Sequence, residues 1–261
     1  MLYQVDRYHK DQVIRIPVQT REKERLAIRV RHYQKPYTTY FETAPIIVGK
    51  DVFVVKIPKM PPSVIVELYN EKNGNQNWDK TFRVGKIAVA PIRMNFMITK
   101  ILDRTVSSFA KFSDEFADNA GIMSAQNSVY ISPCGRFRIH YKDVIRTDDG
   151  RELRTPARIN SKTGIIEISK KYYINYTVPG RKAINWHEFS HIYRNVNHAD
   201  ELEADKNAIM IYLAMGNPTI EAYNVFLKVF NNTPSDTNRA RYNALNKFIR
   251  DFNSSINKQV N

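Results

Sequence analysis

The sequence predicts an α+β protein: an N-terminal antiparallel β-sandwich over residues 1–95, then a helix-rich domain over residues 96–261. Three observations predict it. Apolar residues alternate with a period of two through the first part, as in a half-buried strand. Beyond Pro179 they recur at helical spacing. The chain has 261 residues, 43% of them hydrophobic and 25% charged, an ordinary globular balance with enough length for a sizeable core.

The elements follow in order. Leu26, Ile28, Val30 and His32 alternate with Ala27, Arg29, Arg31 and Tyr33. Further runs at Val13–Val18, Ile46–Val48, Val52–Ile57, Val64–Tyr69 and Phe82–Val89 are separated by breakers such as Gly49-Lys50-Asp51 and Asn73-Gly74. Short strands at this spacing predict an antiparallel sandwich. No catalytic constellation occurs among them, so the reading is a binding or docking domain. Residues 91–100 are expected to cross between domains. Ile101 to Ala120 reads as a helix with Leu102, Val106, Phe109 and Phe116 near one face. Phe137–Ile145, Ala157–Ile159 and Ile165–Ser169 are expected strands, and Tyr172–Tyr176 is expected to extend their sheet. Pro179-Gly180 should end the sheet. Helices then follow at about 182–194, 200–215, 219–230 and 235–252, the second opened by Asp200 as N-cap.

The formal net charge is +14 and the pI about 9.7. Residues 1–95 hold 17 basic and 9 acidic side chains and residues 96–261 hold 23 and 17, so the excess is spread along the chain. A spread excess favours a polyanionic neighbour (nucleic acid, an anionic surface or an acidic protein) without choosing among them. The basic and aromatic run Arg29–Tyr37 is a candidate nucleic-acid contact, though such a run is more often the solvent face of a strand. Cys134 is the only cysteine, so no intrachain disulfide can form, which fits a reducing compartment. The first ten residues have no apolar core of signal-peptide length, and no window nears 18 uninterrupted apolar residues. The expected location is cytoplasmic, with no membrane partner.

Chemistry concentrates in His187-Glu188-Phe189-Ser190-His191, an HExxH motif, with Glu201-Leu202-Glu203-Ala204-Asp205 beginning ten residues after its second histidine. On a helix, positions i and i+4 share a face, so His187 and His191 can both direct an imidazole nitrogen at one Zn²⁺ ion. Glu188 lies beside them as the candidate general base for a metal-activated water. Glu201 is the expected third protein ligand, which leaves one coordination position open for water and substrate. Asp205, one turn on, is expected to accept a hydrogen bond from a ligand histidine and fix its tautomer. Glu203 stands about 200° round the helix from Glu201, so the two cannot both face the ion. His198 lies eleven residues after His187, where the HExxHxxGxxH pattern needs ten, so it is set aside as a ligand.

Lys182–Ala208 resembles the core of gluzincin-type metallopeptidases. It is similar to the ImmA/IrrE-like family, whose helix pattern resembles HELGH followed by an ExEA run, and to the HtpX-like family, whose third-ligand helix reads ExxAD. Glu201, Ala204 and Asp205 stand at those places. The chain departs from both. Met210–Ala214 does not match the ImmA/IrrE-like FAxxLLMP tail, the HtpX-like membrane helices are absent, and Thr233-Pro234-Ser235 with Arg239 lacks the histidine of the HtpX-like THP…R segment. The resemblance implies zinc, a minimal zincin-like α+β domain, hydrolysis of peptide bonds and a protein or peptide substrate laid along an edge strand near Ile165–Ser169. It also implies an oxyanion stabiliser, for which Tyr193, His198, Tyr212 and Tyr223 are the candidates. The first expectation for function is therefore a zinc-dependent metalloendopeptidase. The alternative is a structural virion protein, a phage head–tail connector or tail subunit, in which a homo-oligomeric ring carries a peptidase-like domain. The appended sandwich, the basic surface and the missing export signal motivate that alternative.

Overall fold

A computed structural model describes residues 1–6, 12–35, 37–56, 61–72, 80–91, 103–232 and 234–258. The expected Asn73-Gly74 turn, the crossing at 92–100 and the helix start at Ile101-Leu102 lie outside the described residues. The chain divides into two compact units, Met1–Phe96 and Met97–Asn261, except that Thr177–Pro179 and Gly216–Pro218 group with the first.

Among its described residues, the regular elements of the first unit are all strands. Its elements are β1 (Leu2–Asp6), β2 (Gln12–Thr20), β3 (Glu24–His32), β4 (Thr39–Thr43), β5 (Ile46–Ile47), β6 (Lys50–Lys56), β7 (Ser63–Asn70), β8 (Phe82–Val84) and β9 (Ala88–Pro91). One sheet runs β1-β7-β3-β4 with β5 on β3, and the other runs β6-β2-β8 with β9 also on β2. Every pairing is antiparallel. Alternation puts one face of each sheet inside: Leu26, Ile28, Val30, Val64, Val66 and Leu68 in one, Ile14, Ile16 and Val55 in the other, all fully buried. Two sheets that each hide one face are the pattern of a sandwich. The run Phe82–Val89 divides into β8 and β9, both paired with β2: the Gly85 N–H still bonds the Pro17 carbonyl at 2.8 Å, but the register shifts by one residue between Val18↔Val84 and Arg15↔Ala88. On the opposite face of β3, Arg29 pairs with Glu42 at 2.6 Å and Arg31 with Glu67 at 2.6 Å. Much of the charge of the basic and aromatic run is thus matched across the sheet.

The second unit is mixed. Helix α1 (Arg104–Asn119) starts where the Asp103 carboxylate accepts the Val106 N–H at 2.8 Å. Strands β10 (Ser128–Ile131), β11 (Arg138–Lys142), β14 (Ala157–Ile159) and β15 (Ile166–Ser169) form a sheet ordered β10-β11-β15-β14. Its β11–β15 pair is parallel and the others antiparallel. A ribbon of β12 (Ile145–Arg146) and β13 (Glu152–Leu153) projects around Gly150, whose φ of +85° explains the glycine. The stretch expected to extend the sheet at Tyr172–Tyr176 instead opens as a short helix, α2 (Lys170–Tyr173). Four helices follow: α3 (Val178–Tyr193), α4 (Glu201–Ala214), α5 (Thr219–Asn232) and α6 (Asp236–Lys258). Pro179-Gly180 falls inside the first turn of α3 and does not precede the helix. Proline is tolerated there because first-turn N–H groups have no intrahelical partner.

Helix α3 is the axis of this unit, buried on nearly every side. Trp186 and Phe189 sit in an aromatic core in which Phe109 stacks on Phe189 with centroids 4.5 Å apart. Several of its polar residues are enclosed and held by partners on other elements. Arg181 donates to the carbonyls of Ala117 (3.0 Å) and Ile174 (2.8 Å), Lys182 pairs with Asp114 at 3.2 Å, and Asn185 donates to Ser113 Oγ at 3.0 Å. Phe189 also stacks on Tyr193 at 4.7 Å, so truncating it opens a cavity directly beneath the motif helix. Phe189→Ala is expected to cost about 3–5 kcal/mol in urea-induced unfolding. A loss under about 1 kcal/mol would mean that α3 is not anchored through this ring.

Candidate metal centre

Helix α3 presents His187, Glu188 and His191 along one face, and α4 presents Glu201 and Asp205 along another. A cavity of about 420 Å³ collects all five, together with His198 and Arg241. Its other walls are Ala183 and Ile184 of α3, Val225, Phe226 and Val229 of α5, and the β14 strand with the residues before it.

His187 Nε2 and His191 Nε2 lie 3.1 Å apart. Glu201 stands 3.4 Å from the first nitrogen through Oε2 and 3.6 Å from the second through Oε1. One donor atom from each residue lies within 4.8 Å of the other two. An ion with bonds of about 2.0–2.1 Å in tetrahedral geometry spaces its donors about 3.3–3.4 Å apart. The three side chains can therefore hold one metal ion with little movement. Two neutral imidazoles and one carboxylate are also a donor set that suits Zn²⁺.

The partners of these side chains fix their directions. Asp205, fully buried, lies 2.9 Å from His187 Nδ1 through Oδ1. The separation is that of a hydrogen bond, although the N–H is not aimed squarely along it, so charge contributes alongside direction. His191 Nδ1 meets the His198 carbonyl at 2.8 Å, which leaves Nε2 free to face the centre. Arg241, from α6, reaches both carboxylates: Nε to Asp205 Oδ2 at 2.8 Å and Nη2 to Glu201 Oε2 at 3.0 Å.

The field inside the cavity favours positive charge at its centre. Burial disfavours a protonated His187, yet Asp205 and Glu201 outweigh it and hold the ring up to about 10. His191, desolvated and beside His187, is lowered from its ordinary value. Hydrogen bonding to His187 holds Glu201 down to about 2 against its burial. Burial carries Glu188 up to about 7, although the Ile159 N–H donates to its carboxylate. A carboxyl group near neutrality can both accept and return a proton.

Glu203, expected to face away, does so: its carboxylate accepts the Val196 N–H at 3.1 Å and caps the α3–α4 loop. Of the four residues singled out to stabilise an oxyanion, only His198 lines the cavity. Tyr193 lies over Phe137 and Phe189 with Arg136 against its ring, and Tyr212 is fully buried in the core. Tyr223 packs against the core rather than lining the cavity. Arg241 was not singled out from the sequence at all. It is one of 40 basic residues, and only the approach of α6 to α4 separates it from the others.

The edge strand is also not the expected one. β15 is flanked by β11 and β14 and has no free side, whereas among the described residues β14 pairs with β15 alone. Asn160 N–H bonds the Ile165 carbonyl and Ser169 N–H bonds the Pro156 carbonyl. The even positions of β14 therefore face β15, and the backbone groups of Ala157 and Ile159 face outward. Of these, Ile159 N–H meets Glu188, and the Ala157 carbonyl accepts the Thr155 hydroxyl at 2.8 Å.

Comparison with known protein families, curated proteins and solved structures gives no match. No helix among the described residues is long and apolar enough to cross a membrane.

Proposed function

We propose that the second unit is a zinc-dependent metalloendopeptidase domain with a gluzincin-like, minimal zincin-like site. The observation that carries this reading is the approach of His187, His191 and Glu201 to one another at the spacing of tetrahedral ligands. Bound there, zinc would act as a Lewis acid on a peptide carbonyl and make water acidic enough to yield its proton near neutral pH. Glu188 is the acceptor of that proton and returns it to the leaving amine nitrogen. An extended substrate lies against β14, with Ala157 N–H and the Ile159 carbonyl as its backbone partners. Ile184, Val225 and Phe226 give an apolar substrate side chain a dry wall beside the metal. His198 is the nearest of the proposed oxyanion donors by virtue of its place in the cavity. The first unit, with no such cluster among its described residues, serves docking.

Elemental analysis of the purified chain, joined to cleavage of a peptide library with and without a chelator, tests the proposal. About one zinc per chain and chelator-sensitive cleavage are expected. A chain that takes up no zinc and cuts nothing, while assembling into a ring of many copies, would sink it in favour of the virion-subunit reading.

A further inference from the structure

We propose that Arg241 is a positioning residue of the metal centre, one that sets how tightly the ion is held. The inference rests on the reading of His187, His191 and Glu201 as metal ligands and deepens it. Arg241 bridges two carboxylates one helical turn apart on α4. Its Nε meets Asp205 Oδ2 at 2.8 Å and its Nη2 meets Glu201 Oε2 at 3.0 Å. These two nitrogens form one edge of a planar guanidinium, so a rigid fork spans the pair. The third nitrogen, Nη1, donates to Asn238 Oδ1 at 3.4 Å on the arginine's own helix, which holds the plane.

Each carboxylate is thereby divided between two tasks. Asp205 gives Oδ2 to the arginine and keeps Oδ1 for His187 Nδ1. Glu201 gives Oε2 to the arginine, an oxygen that also lies 3.4 Å from His187 Nε2, and keeps Oε1 toward His191. A glutamate held by one oxygen binds an ion through the other and leaves a coordination position open, as a hydrolytic site requires. Two physical effects of the arginine oppose each other. Its positive charge repels a cation, but its fork holds the direction of the fully buried Asp205, and through it that of His187. Fixing the direction of ligands is commonly worth 10–100-fold in metal affinity, and orientation prevails here because Asp205 has no water to replace a lost partner.

Zinc affinity, measured by competition with a chromogenic chelator on the full chain, tests this. Arg241→Ala is expected to weaken binding about 10–100-fold. Arg241→Lys keeps the charge without the fork and should recover only part of the loss. Arg239→Ala is the control: that arginine is 79% exposed, 4.0 Å from Asp236, and should bind zinc like the parent chain. Far-UV circular dichroism and melting in chelator check that each variant folds before zinc is added. If Arg241→Ala does not fold, Arg241→Lys alone decides. Parent-like affinity in Arg241→Lys, or unchanged or tighter binding in a folded Arg241→Ala, overturns the proposal while leaving the metal site standing. A parent chain that binds no zinc overturns both.

Discussion

Replacing His187 with alanine is expected to strip the site of metal. The change removes one of three proposed donors, and it also removes the group facing Asp205 Oδ1, leaving a buried carboxylate paired, among the described residues, with Arg241. Removing a residue behind a ligand commonly costs 10–100-fold in affinity, and removing the ligand itself costs more. Zinc content should fall from about one ion per chain to near zero, while far-UV circular dichroism stays close to that of the parent. The fold should tolerate the change because the core under α3 is carried by Trp186 and Phe189, which are on other faces of the helix. Retention of the parent's zinc would show that the ion, if any, is held elsewhere, and the peptidase reading would go with it.

Glu188→Gln should separate holding the ion from using it. The amide has the shape of the carboxylate and can still accept the Ile159 N–H, so neither packing nor zinc content should change. It cannot take up a proton, and hydrolysis should drop about 10²–10⁴-fold in kcat. Peptide binding to this variant should survive, which can be read by fluorescence anisotropy. Cleavage within a few-fold of the parent's would assign the proton transfer to another group.

The portion of the site that the sequence makes legible is the portion set by helical spacing. His187 with His191 and Glu201 with Asp205 are both i, i+4 pairs, and a helix alone puts such pairs on one face. Asp200 is equally plain as an N-cap: its carboxylate accepts the Glu203 N–H at 2.9 Å. What stays hidden depends on contacts between elements distant in the chain. Arg241 lies 40 residues beyond Glu201 on a helix rich in polar residues, with no periodicity to mark it. Strand order is hidden for a similar reason. Alternation identifies β14 and β15 as strands but carries nothing about which of them the parallel partner β11 covers. Aromatic residues mislead in the opposite direction. Tyr193, Tyr212 and Tyr223 carry hydroxyls suited to an oxyanion, yet their rings bury apolar area and packing decides where they go.

The short segment joining α3 to α4 has a consequence for how such a chain can vary. Val196 at its tip is 95% exposed, which would ordinarily mark a place open to insertion. The segment is nonetheless tied at both ends. Asn195 donates to the Asp200 carbonyl at 2.8 Å, Asn207 donates to Asn195 at 3.0 Å, and Glu203 holds the Val196 N–H. One extra residue between Glu201 and Asp205 would turn Glu201 by about 100° relative to the buried remainder of α4, away from the two histidines. Side chains here can be exchanged more freely than length, so a mutational scan should accept substitutions at Val196 and reject a single-residue insertion between Glu201 and Asp205.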